Sequence, residues 1–87
     1  MDQEAIQSFR LKLDQHYRWP SLYMFKFIVP KERAEEVIQL FPLHTGTQKK
    51  SSQGKYISIT IQMMMPSSEA VIEVYRKAAT IDGLIAL

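Results

Sequence analysis

Apolar positions along the chain recur with two different periods, and the switches between them predict the element order. Ile6, Phe9 and Leu13 are spaced three and four apart, a helical stripe over residues 2–17 that Tyr17 extends. Asp2 is placed to cap this helix, and Leu11 falls off the stripe, so the helix offers a core only a narrow face. Trp19-Pro20 closes the segment, because the residue before a proline avoids the helical region.

From Ser21 to Val29 the period becomes two. Tyr23, Phe25, Phe27 and Val29 point one way; Leu22, Met24, Lys26 and Ile28 point the other. Apart from Lys26 both sides are apolar, which predicts a central strand with a layer covering each face. Pro30 stops the ladder and suits the first turn of a helix. That helix is expected from Lys31 to Phe41, since Ala34, Val37, Ile38 and Phe41 recur at i, i+3, i+4 and i+7. Glu32, Glu35 and Glu36 lie near its N-terminus, where the helix dipole favours negative charge, and Pro42 ends it.

His44 to Lys50 reads as a weaker strand, polar on both faces, and Ser51-Ser52-Gln53-Gly54 has turn chemistry. Lys55 to Met64 alternates most regularly: Ile57, Ile59, Ile61 and Met63 face a core, and Tyr56, Ser58, Thr60 and Gln62 face away. The intervening turn joins these two strands as a hairpin. Pro66-Ser67-Ser68 opens the last helix with either serine as cap, and Val71, Val74, Tyr75 and Ala78 form its stripe. Asp82-Gly83 reads as a turn and Leu84 to Leu87 as a short final strand.

After the first helix the order is β-α-β-β-α-β, the split βαβ or ferredoxin-like arrangement. The expected fold is therefore an α+β sandwich: a four-stranded antiparallel sheet with two helices on one face, plus an extra N-terminal helix. Residues 1–18 form the helical extension and residues 19–87 the ferredoxin-like domain. Many unrelated functions use this topology, so function has to be argued from sites.

Composition narrows the choice. The sequence of 87 residues is 46% apolar and 23% charged, ordinary usage for one small globular domain. It has no cysteine, which excludes a disulfide scaffold, a Cys-ligated zinc site and a thiol nucleophile, and fits a reducing compartment. Apolar runs such as Phe27-Ile28-Val29 and Met63-Met64-Met65 fall far short of the roughly 20 residues that span a bilayer. The first residues carry Asp2, Glu4, Arg10, Lys12 and Asp14 without an apolar stretch, so no secretion signal is expected. A cytoplasmic location without membrane attachment follows as the expectation.

Candidate chemistry is sparse. His16 and His44 stand alone, with no ligand spacing around them, so neither a metal nor a cofactor is expected. Glu32, Glu35, Glu36, Glu69 and Glu73 sit on solvated helix faces, and no nucleophile set stands out, so no enzymatic activity is expected. The net charge of +2 is small, yet Val37 to Ser68 holds Lys49, Lys50 and Lys55 and no acid. This suits an anionic partner.

Ser51, Ser52, Gly54 and Lys55 supply hydroxyls, a permissive glycine and an ammonium, the makings of an anion-binding turn. The phosphate-loop spacing GxxxxGK[ST] is absent. The plainer reading is a solubilised hairpin on an edge strand that its lysines protect from strand addition.

RNA-recognition domains share the topology but need two or three outward aromatics. Here Tyr56 is followed by Ser58 and Thr60, opposite Met24 and Lys26, so nucleic acid is not an expected partner. The candidate surface is Lys26, Tyr56, Ser58 and Thr60 on the sheet, beside Lys49, Lys50, Ser51, Ser52, Gly54 and Lys55. It points to a non-enzymatic interaction or regulatory module with a protein partner, compatible with a homodimer. Weak single-stranded RNA binding is an alternative.

The run Ser51-Ser52-Gln53-Gly54-Lys55-Tyr56-Ile57-Ser58 resembles the S-S-x-G-K-Y-x-S signature of the YbeD-like family, small bacterial proteins of unknown function. Trp19-Pro20, Phe25-Lys26-Phe27-Ile28, Val74-Tyr75 and Ile81-Asp82-Gly83-Leu84 match the same family, over residues 19–87. The resemblance implies a ferredoxin-like fold similar to ACT regulatory domains and no catalytic residue. It also implies a second alternative, small-molecule sensing. ACT domains commonly carry a glycine in the loop after their first strand, where this chain has Val29-Pro30-Lys31-Glu32.

Overall fold

The structure, a computed structural model, describes residues 2–43 and 46–87. Helix α1 (Gln3–His16) leads into strand β1 (Ser21–Pro30), a 3-10 turn (Lys31–Arg33) and helix α2 (Ala34–Gln39). Strands β2 (Thr47–Lys50) and β3 (Tyr56–Met65) follow, then helix α3 (Ser68–Ala78) and strand β4 (Ile85–Ala86). The strand order is β2-β3-β1-β4, with every neighbouring pair antiparallel. This is the expected α+β, ferredoxin-like arrangement with an additional N-terminal helix.

β1 and β3 form the spine, paired residue for residue from Ser21 opposite Met65 to Pro30 opposite Tyr56. Their odd-numbered positions build the core. Phe25, Phe27, Val29 and Ile59 have no exposed surface, and Val37 of α2 and Val71 of α3 close over them. The rings of Phe25 and Phe27 stack 6.2 Å apart, and Phe41 lies 5.3 Å from Phe25. Ile6 and Leu13 of α1 belong to the same buried cluster. All three helices therefore lie on one face of the sheet. Asp2 and Ser67 cap α1 and α3 by accepting from the amides of Ala5 and Ala70.

Several expectations are corrected. β1 continues through Pro30 instead of ending at Val29, because an edge position of the ladder does not require the missing N–H. The expected continuous helix from Lys31 to Phe41 is a 3-10 turn followed by one short α-helix. Arg33, at φ −107° and ψ 0°, breaks the regular helix between them. β3 runs from Tyr56 to Met65, one residue later than expected at each end, and β4 is two residues long. β2 begins at Thr47; the expected strand start at His44, like Thr45, lies outside the described residues.

The largest correction concerns the second face of β1, expected to be covered. Leu22 and Met24 keep 53% and 50% of their surface exposed, so among the described residues no layer lies over them. Alternation identifies which residues share a face, but a bare apolar face and a covered one carry the same pattern.

Candidate functional site: a bare sheet face and its basic hairpin

The register lays out the bare face in rows. Lys49 of β2 stands opposite Ser58 of β3, Ser58 opposite Ile28 of β1, and Ile28 opposite Ile85 of β4. The next row is Thr47, Thr60 and Lys26, followed by Gln62 with Met24 and Met64 with Leu22. Directly opposed residues point to the same side of a sheet, so these rows form one continuous surface. It is apolar at the Leu22–Met24–Met64 end, cationic through Lys26 and Lys49, and contains no acidic residue.

The hairpin is fixed at the far end of this surface. The Ser51 amide donates to the Tyr56 carbonyl at 2.9 Å, and the Gly54 amide donates to the Ser51 carbonyl at 3.0 Å. The Tyr56 amide donates to Ser51 Oγ at 3.3 Å. Gly54 takes φ +71°, the left-handed conformation that lets the chain turn back. The Lys31 amide donates to the Lys55 carbonyl at 3.1 Å and holds the turn against the end of β1.

Of the candidate residues, Lys49, Lys50, Ser51, Ser52, Tyr56 and Ser58 come together around an open pocket of about 260 Å³ beside Ile28. Lys26 and Thr60 lie one row further along the face. Gly54 and Lys55 shape the turn but do not line the pocket. Lys50 pairs with Ile57, so at that register position it belongs to the helix side of the sheet, unlike Lys49. Lys49, the hydroxyls of Ser51, Ser52 and Ser58 and the Tyr56 phenol make a pocket, bordered by Lys50, suited to an anionic group such as a carboxylate or phosphate.

A second feature has no counterpart in the sequence reading. Phe9 of α1, Tyr23 of β1 and Tyr75 of α3 line an apolar groove of about 500 Å³ that extends to Leu84 and Ala86. The Tyr23 and Tyr75 hydroxyls are 3.0 Å apart, within hydrogen-bonding distance. Burial pushes both phenols above their ordinary range; their mutual bond raises Tyr75 further and partly offsets the rise at Tyr23. The inward position of Tyr23 and the helical stripe containing Tyr75 were legible separately, but their meeting depends on how α3 lies across β1.

Fold and surface together define a ferredoxin-like domain with one face of its sheet left bare. The chain belongs to the family described as "Protein of unknown function (DUF493)", whose profile matches residues 14–86. This agrees with the resemblance to YbeD-like small bacterial proteins of unknown function. The match also takes in Asp14, whose carboxylate accepts from Trp19 Nε1 at 2.9 Å. A UPF0250 protein of Shewanella sediminis is 30% identical over 80 residues, covering 84% of this chain and 91% of the relative. A UPF0250 protein of Shewanella amazonensis is 28% identical over 78 residues, covering 82% and 89% respectively. No solved structure matches the chain. No helix among the described residues is long and apolar enough to cross a membrane.

Proposed function

We propose that this protein is a non-catalytic interaction module of the cytoplasm that docks an acidic protein partner on its bare sheet face. The carrying observation is the combination on that face of exposed Leu22, Met24 and Met64 with Lys26 and Lys49, and no acid. Apolar area supplies affinity in a protein interface, and charge complementarity selects the partner and speeds encounter. An acidic side chain of the partner is received by the hairpin pocket. A regulatory role follows if docking changes the activity of that partner.

The test is capture with tagged wild type from nuclease-treated bacterial lysate, beside two variants. One carries Lys49→Glu, Lys50→Glu and Lys55→Glu together; the other carries Met24→Glu. A stoichiometric protein held by wild type and lost by both variants is then purified, and its binding is measured by calorimetry at several salt concentrations. Binding that weakens with salt and with both substitutions is the expected result. A partner retained equally by both variants would overturn the surface assignment.

A further inference from the structure

We propose that the groove between α1, α3 and β4 is a second binding site, for an uncharged planar small molecule carrying a hydrogen-bond acceptor. It lies on the opposite side of the sheet from the bare face and does not rest on the docking reading. Its volume of about 500 Å³ falls within the range of pockets that hold small organic ligands, roughly 300–1,000 Å³.

The lining decides the class of ligand. None of the lining side chains is charged: Phe9, Tyr23 and Tyr75 supply rings, Leu84 and Leu87 apolar branches, while Ala78, Ala79 and Ala86 have short side chains that leave space. A carboxylate or ammonium entering here would lose its hydration without gaining a counter-charge from any lining side chain. Phe9 meets Tyr75 edge to face at 5.5 Å, and Tyr23 meets Tyr75 nearly perpendicularly. Such rings provide both faces and edges for a flat ligand to pack against.

The polar element is the pair of hydroxyls. Each phenol carries one proton, and their mutual bond uses one of the two. Among the described residues neither hydroxyl has another partner, so the second proton is available to an acceptor in the groove. A ketone, an ester or a ring carbonyl meets this demand, and a purely hydrocarbon ligand does not.

The probe is Prodan, a neutral naphthyl ketone whose emission moves to shorter wavelength in an apolar site. Titration of the full chain should give a saturable blue shift at one equivalent. Ala79 is exposed just after α3, so Ala79→Trp fills the groove without disturbing the core, and should weaken binding by about tenfold or more. Either hydroxyl can donate to the other, so Tyr23→Phe and Tyr75→Phe together, which remove both protons, should weaken it by about three- to tenfold, the value of one hydrogen bond. Met24→Glu, on the bare sheet face, should leave it unchanged. Amide spectra of ¹⁵N-labelled protein check that each variant is folded and should show dye-induced shifts at Tyr75, Ala79 and Leu84.

Unchanged affinity in folded Ala79→Trp, or loss in Met24→Glu, would place the dye elsewhere and overturn the proposal. Equal affinity for wild type and the folded double variant would overturn the acceptor requirement. No dye binding by wild type, together with a dimer that Ala79→Trp dissociates in sedimentation, would assign the groove to a second copy of the chain instead.

Discussion

The Tyr23 and Tyr75 hydroxyls stand 3.0 Å apart across 52 positions of sequence, joining β1 to α3 at the floor of the apolar groove. Both phenols are held in the neutral form chiefly by burial. A phenol whose folded-state value is raised contributes stability that is fully present below its unfolded value of about 10 and is lost as pH rises towards the folded value. Urea midpoints measured from pH 7 to 11.5 should therefore be flat at first and fall above about pH 10. The fall should be smaller in Tyr75→Phe, which loses about 0.5–1.5 kcal/mol at neutral pH through the broken hydrogen bond. A wild-type midpoint that holds steady through pH 11.5 would contradict this coupling.

Phe25 should be among the most sensitive core positions. It has no exposed surface and packs its ring against Phe27, Phe41 and Tyr75. Phe25→Ala should cost about 3–5 kcal/mol. Domains of this size have total stabilities of about 5–15 kcal/mol, so much of the variant would be unfolded at 37 °C. Chemical denaturation followed by circular dichroism checks the magnitude.

The two hairpin-side glycines should fail for different reasons. A Cβ on Gly46 would stand 2.5 Å from the Thr60 carbonyl oxygen and from Ile61 Cγ1, so Gly46→Ala forces the backbone apart. It should cost about 1–3 kcal/mol. At Gly54 nothing lies within 4 Å of the added carbon, but φ is +71°. Gly54→Ala should cost about 1–2 kcal/mol through left-handed strain, and Gly54→Asn less, because asparagine tolerates that region. Thermal melts of the three variants separate steric from conformational cost.

Charge placed on the bare face should be nearly neutral for stability. Leu22→Glu and Met24→Glu should each shift the unfolding free energy by only about 0.5 kcal/mol, as substitutions at exposed positions do. Parallel melts of both variants check this. A loss of several kcal/mol in either would mean that the face is covered in solution.

Strands β1 and β3 were legible because the alternation of Phe25, Phe27, Ile59 and Ile61 is a local record of which side each residue faces. The hairpin was legible because Gly54 and its serines have few other local conformations to favour. The helix after Pro30 was less so: the apolar spacing of Ala34, Val37, Ile38 and Phe41 is helical throughout, but spacing does not register the backbone break at Arg33. The meeting of Lys49, Tyr56 and Ser58 at one pocket was half legible, since alternation gives sides but strand register selects neighbours.

The sequence by itself determined the order of elements, the antiparallel hairpin, the inward positions of β1 and β3 and the family, all of which follow from short-range periodicity and local motifs, whereas the burial of Ile72 did not show in the stripe read for α3. Tertiary structure alone decided that α1 joins the same side of the sheet as α2 and α3, leaving Leu22 and Met24 uncovered. It also decided that Tyr23 and Tyr75 share a groove with Phe9. Both outcomes depend on how elements far apart in the chain pack, and a helix carries in its own apolar stripe no record of which sheet face it will cover.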